Sequence, residues 1–164
     1  MRYLLFSLFI GINTLSFAQN TNPVDLIPTT IDSIQFRVEN IRTKEMLLIG
    51  QEEVYELMGS FTLLAKERQK LAKKLRKPNA YSHGRALLDH HNLVFSFFNA
   101  EKLTLTAHIS TLTRNIDLYA EGKPEFYGKI SKKFGKFLIK LLVRVGLYDA
   151  VYKSGDLEGI VKYK

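Results

Sequence analysis

The sequence contains no cysteine. That one absence removes disulfide scaffolds, Cys-ligated zinc, iron–sulfur clusters, thiol nucleophiles and lipid attachment through a cysteine. Long apolar runs are also lacking: beyond the N-terminus no stretch approaches the roughly 20 apolar residues that cross a bilayer. The nucleophile-elbow pattern Gly-x-Ser-x-Gly, the zinc pattern HExxH and phosphate-cradling glycine loops do not occur. Acidic residues are in deficit, 16 Asp+Glu against 24 Lys+Arg, which gives a formal charge of +8 over 164 residues.

What is present suits one globular domain. The length fits a single core, and 46% hydrophobic with 24% charged residues lies outside the disordered range. The chain opens with Arg2, an apolar run from Tyr3 to Ile12, and small residues Ser16 and Ala18 around Phe17. This order of positive, apolar and small-x-small segments predicts a signal peptide over residues 1–18, cleaved after Ala18. The apolar core is too short for a transmembrane anchor. A periplasmic or secreted protein, soluble after cleavage, is therefore expected. Residues 19–29, polar with two prolines, read as a leader, and 30–164 as one α+β domain.

Within that domain Ile34, Phe36 and Val38 alternate with Gln35, Arg37 and Glu39, as in a half-buried strand. Gly50–Gly59 predicts a short helix, with Glu52 and Glu53 in its first turn and Gly59 as its C-terminal cap. Ala65–Lys77 predicts a second, ended by Pro78-Asn79, with Leu71, Ala72 and Leu75 as its narrow apolar stripe. Ala86–Thr111 reads as three antiparallel runs (ALLDH, LVFSFF and LTLTAHIST) forming a β-meander covered by short helices. The central run is apolar on both faces, so a second covering layer is expected, with 51–58 and 65–77 available for it. Leu157–Tyr163 predicts a last strand.

The stretch Val54-Tyr55-Glu56-Leu57-Met58-Gly59, with Leu88-Asp89-His90-His91-Asn92-Leu93-Val94-Phe95 before an aromatic run, resembles small exported modules related to β-lactamase inhibitor protein and small outer-membrane assembly lipoproteins. The similarity covers about Ile34 to Ile109. Ser60-Phe61 stands where those modules carry a proline, and the lipid-bearing cysteine is missing. The resemblance implies a non-catalytic binding domain that contacts a protein.

Thirteen of the 24 basic residues fall in two segments. The first holds Lys66, Arg68, Lys70, Lys73, Lys74, Arg76 and Lys77 against one acid, Glu67. The second holds Lys129, Lys132, Lys133, Lys136, Lys140 and Arg144 with no acid. Around the second set Ile130, Phe134, Phe137, Leu138, Leu141, Leu142 and Val145 recur at helical spacing, predicting a C-terminal amphipathic basic helix within 126–148. Gly128 and Gly135 weaken its start, which places the onset near Lys136 with Phe126–Ser131 extended. Two readings follow. The apolar stripe packs on the core and the basic side is exposed, or the segment rests on an anionic membrane surface. Nucleic acid is disfavoured, because 65–77 has no aromatic on which a base could stack.

Histidines supply the remaining chemistry. Asp89, His91 and His108, with His83 and His90 nearby, are ligand types for zinc and would support a small metal-dependent hydrolase. No tight ligand spacing supports this, and adjacent His90 and His91 point to opposite sides of a strand, so one at most joins His108. The simpler reading is histidines at a strand end, with no cofactor and no catalysis. The expectation is an exported binding protein that recognises a protein partner.

Overall fold

The computed structural model describes residues 22–41, 55–87, 90–153 and 157–161. Residues 1–18, the helix start at 50–54 and Asp89 lie outside that set. The fold is α+β, built on a seven-stranded antiparallel sheet. Its strands are β1 (Ser33–Ile41), β2 (Tyr55–Thr62), β3 (Tyr81–Ser82), β4 (Leu93–Asn99), β5 (Lys102–Ile109), β6 (Asn115–Ala120) and β7 (Lys123–Ile130). They lie in the order β2-β1-β4-β5-β6-β7-β3. Two helices cover one face, α1 (Ala65–Leu75) and α2 (Lys132–Arg144), followed by the short helices α3 (Tyr148–Lys153) and α4 (Glu158–Val161).

Alternation along the strands sends one set of side chains inward. Ile34, Phe36 and Val38 of β1 face Phe97, Phe95 and Leu93 of β4, and all six are fully buried. Across the next pairing Leu93, Phe95 and Phe97 oppose Ile109, Ala107 and Leu105. The Phe36 and Phe95 rings stack with centroids 4.6 Å apart. Leu71 and Leu75 of α1, and Phe134, Leu138, Leu141 and Leu142 of α2, join the same core from above. Burying a side chain of this size contributes about 1.5–3 kcal/mol, so the two helices are held mainly through these stripes.

Four sequence expectations change. Tyr55–Gly59 is strand, not helix: β2 pairs along β1 from Phe61↔Phe36 to Tyr55↔Ile41. The helical spacing of Leu57 and Met58 loses to this ladder, which leaves Leu57 58% exposed. In the first of the three meander runs the described residues, Ala86, Leu87 and His90, are not strand, Leu88 and Asp89 lie outside the described residues, and the meander continues through β6 and β7. The C-terminal segment is helical at α4, because Leu157 and Ile160, three apart, are both buried. Gly159 permits this approach: a Cβ there would lie 2.0 Å from the Leu112 carbonyl oxygen. Finally, α2 starts at Lys132 and not near Lys136. Gly135 sits inside it where a Cβ would meet Ile160 Cγ2 at 2.9 Å, so its helix-weakening effect is offset by close packing against α4.

Val24–Ile27 forms a turn, and Ile27 is 4% exposed within the core. No helix among the described residues is long and apolar enough to cross a membrane.

Candidate functional site

α1 and α2 lie antiparallel on the sheet. At one end Glu67 accepts a hydrogen bond from the Leu64 amide at 3.1 Å and an ion pair from Arg144 at 2.8 Å, so one carboxylate caps α1 and ties it to the last turn of α2. At the other end the C-terminus of α1 meets the N-terminus of α2, and among the described residues no acid lines that end. Lys70, Lys73 and Lys74 from α1, Lys77 just beyond its end and Lys133 from α2 line a cleft of about 230 Å³. Phe134 and Ala80 form its apolar part, and Asn79 and Ser131 supply neutral polar groups.

The floor of this cleft is fixed by backbone bonding. The Ser131 amide donates to the Ala80 carbonyl at 2.7 Å, which ties the 3-10 turn Pro78–Ala80 to the start of α2. The Ser131 hydroxyl accepts from the Phe134 amide at 3.3 Å and caps the helix. Lys74 Nζ lies 5.3 Å from the centroid of the Phe137 ring, a cation–π contact. Burial, then the charges of Lys133, Lys70, Lys77 and Lys140, hold the Lys74 ammonium below the ordinary lysine range. The first turn of α2 carries Lys132 and Lys133 with no acidic residue, against the preference of a helix N-terminus for negative charge. Positive charge is therefore concentrated here at some cost to the fold.

The structure divides the basic residues singled out in the sequence. Arg68 and Arg76 turn away from the cleft: Arg68 donates to the Asp32 carbonyl, and Arg76 to the carbonyls of Pro28 and, at 3.1 Å, Thr29. Both anchor the N-terminal segment to α1. Arg144 is engaged with Glu67. Lys129 is in β7 opposite Asn115, on the sheet face away from the helices, and so does not belong to one surface with Lys133. Lys66, Lys132, Lys136 and Lys140 are exposed on the helices.

A second polar cluster occupies the outer face of the sheet. Residues 83–87 after β3 and 90–92 before β4 lie against this face. These irregular stretches, and not the helices 51–58 and 65–77 considered from the sequence, supply the contacts on this face to Asn115 and Asp117. Arg85 grips the buried carboxylate of Asp117 through two contacts, at 2.9 and 3.0 Å, and its guanidinium lies 4.7 Å from the Tyr127 ring centroid. Ala86 exchanges two 3.0 Å hydrogen bonds with the Asn115 side chain. His91 Nε2 lies 3.2 Å from Asp117, and the His91 and His108 rings meet edge-on at 5.7 Å. His108 in turn packs on Tyr119 at 4.9 Å.

Of the proposed metal set, then, His91 and His108 come together, His83 and His90 belong to the irregular stretches, and Asp89 is outside the described residues. Among the described residues no three His, Cys, Asp or Glu side chains are arranged to hold a metal ion. The carboxylate beside the histidines is Asp117, which sequence reasoning passed over. Its signal was a lone acid between Ile116 and Leu118, at an outward position of a buried strand. Arg85 gave no such signal.

Comparison with family models, curated proteins and solved structures finds no match to this chain.

Proposed function

We propose that this protein is an exported, non-catalytic binding protein that docks on an acidic protein partner through the lysine face of α1 and α2. One observation carries the reading: four lysines on α1 and α2, with Lys77 just beyond α1, line one cleft, and among the described residues no acid lines it. At two other places the fold pairs its cations with carboxylates, Arg144 with Glu67 and Arg85 with Asp117. A cationic surface held against its own repulsion accelerates and orients encounter with a partner of opposite charge. The expected signal peptide, the periplasmic or secreted location and the resemblance to exported binding modules belong to the same proposal.

A polyglutamate peptide at low salt is a direct probe of this surface. Binding should weaken as salt rises and vanish in the variant carrying Lys70→Glu, Lys74→Glu and Lys133→Glu. Reversal of Lys129 and Lys153, away from the cleft, should leave it intact. Equal loss in both variants would reduce the effect to net charge and sink the docking face.

The membrane reading keeps a narrower form. As an amphipathic basic helix α2 would offer lipid only its lysines, since Phe134, Phe137, Leu138, Leu141 and Leu142 are committed to the core. Contact would then be electrostatic, about 1 kcal/mol per lysine near an anionic leaflet. Co-sedimentation with anionic vesicles at low salt tests it, and failure to pellet removes it.

A further inference from the structure

The lysine cleft differs from the rest of the basic surface in which cations it uses. The arginines of α1 and α2, and Arg76 just beyond α1, are engaged elsewhere, Arg68 and Arg76 on backbone carbonyls and Arg144 on Glu67. The planar fork that matches a carboxylate is therefore absent, and every cation lining the cleft is a lysine. Ammonium groups act as point charges with three donors each and impose no planar match. Five of them exceed what one carboxylate can accept through its roughly four lone-pair sites. A phosphate brings about −1.5 to −2 of charge and three acceptor oxygens, and two linked phosphates double both.

Size and rigidity point the same way. A cleft of about 230 Å³ is below the roughly 300–1,000 Å³ of drug-sized ligand pockets, so it suits a compact, highly charged group. Asn79 and Ser131 stand on the floor that the Ser131–Ala80 hydrogen bond fixes, and they add neutral hydrogen-bonding capacity beside the charges. A monoanion would leave most of the mutual repulsion around Lys74 in place, whereas a polyvalent anion would relieve it.

We propose that the cleft between the C-terminus of α1 and the N-terminus of α2 is a binding site for a group bearing two or more linked or neighbouring phosphates, held by Lys70, Lys73, Lys74, Lys77 and Lys133. This rests on the reading that the lysine face is the contact surface, and it adds the chemistry that the cleft selects. The group is either a free oligophosphate or the headgroup of a phosphorylated lipid.

Calorimetric titration of the purified protein with tripolyphosphate, pyrophosphate and tricarballylate, a tricarboxylate, at one fixed ionic strength is the test. Both phosphates should bind, and tripolyphosphate at least about tenfold more tightly than the tricarboxylate. The double variant Lys74→Gln with Lys133→Gln should lose roughly tenfold or more, while Lys123→Gln with Lys153→Gln keeps wild-type affinity. All four side chains lie at or near the surface, and an unchanged melting temperature without ligand verifies that each variant folds. Vesicles of phosphatidylcholine with a bisphosphorylated headgroup lipid separate the two sources. Retention that tripolyphosphate displaces assigns the headgroup, and binding of soluble phosphate without retention assigns the free ion. Equal affinity for the tricarboxylate, or equal loss in the control variant, overturns the phosphate site. If polyglutamate still binds in that case, the docking face stands without it; if polyglutamate also fails, both fall.

Discussion

Arg85 and Asp117 lie 32 residues apart in sequence and meet through contacts of 2.9 and 3.0 Å, on a carboxylate only 1% exposed. This pair pins the irregular stretch 83–87 to the outer face of the sheet. Asn92 and Thr111 hold the stretch 90–92 through two further hydrogen bonds, at 2.8 and 3.0 Å.

Breaking that latch should be costly. Asp117→Ala leaves the Arg85 guanidinium without its carboxylate partner, and we expect a loss of about 2–3 kcal/mol in urea unfolding. Hydrogen exchange should rise first in the amides of 83–87 and 90–92. A change below about 0.5 kcal/mol would mean that the stretch 83–87 is held by its backbone alone.

The turn between β4 and β5 is built from the wrong residues for its geometry. Ala100 and Glu101 both adopt positive φ, 47° and 63°, in a two-residue hairpin loop with Asn99 opposite Lys102. Side chains disfavour this conformation by about 1 kcal/mol each, and Asn-Gly is the preferred pair. The double change Ala100→Asn with Glu101→Gly should raise stability by about 0.5–1 kcal/mol, read from the denaturation midpoint.

Gly159 carries the opposite prediction. Because a Cβ would sit 2.0 Å from the Leu112 carbonyl oxygen, Gly159→Ala must displace α4. The cost should be about 1–3 kcal/mol, with loss of the Ile160 contact to α2.

Alkaline pH should act through Tyr81. Burial pushes its phenol above the ordinary tyrosine range, and its hydroxyl donates to the Leu75 carbonyl at 2.9 Å. A raised folded-state value means that the unfolded chain ionises first. The contribution of Tyr81 to stability is thus complete below about pH 10 and is lost as pH climbs above it. Tyr81→Phe should flatten that alkaline decline while costing about 1 kcal/mol at neutral pH. An unchanged alkaline limb would assign the decline to other groups.

The parts legible in the sequence were those in which one local period acted alone. Ile34, Phe36 and Val38 announced β1, and Leu71, Ala72 and Leu75 marked the buried stripe of α1. The same held for Leu105, Ala107 and Ile109 in β5. Local period failed where a distant partner decided the outcome. Leu57 and Met58 carry helical spacing, yet the ladder to β1 makes them strand. Leu157 and Ile160, three apart, share a helical face, and the burial that decides for helix comes from α2, where Gly135 seats Ile160. For the site, the sequence showed two basic segments but not their division. Which lysines share a cleft depends on the antiparallel docking of α1 and α2. That Arg68 and Arg76 face the N-terminal segment depends on the path of residues 28–32. Neither is written in local spacing.

Amide and lysine side-chain NMR shifts during titration with polyglutamate test the docking face most directly. Changes should localise to residues 70–80 and 131–140, with Lys74, Asn79, Ser131 and Lys133 among them, and should diminish with added salt. Changes confined instead to the outer face, at Arg85, His108, Tyr119 and Tyr127, would contradict the assignment of the lysine cleft as the contact surface.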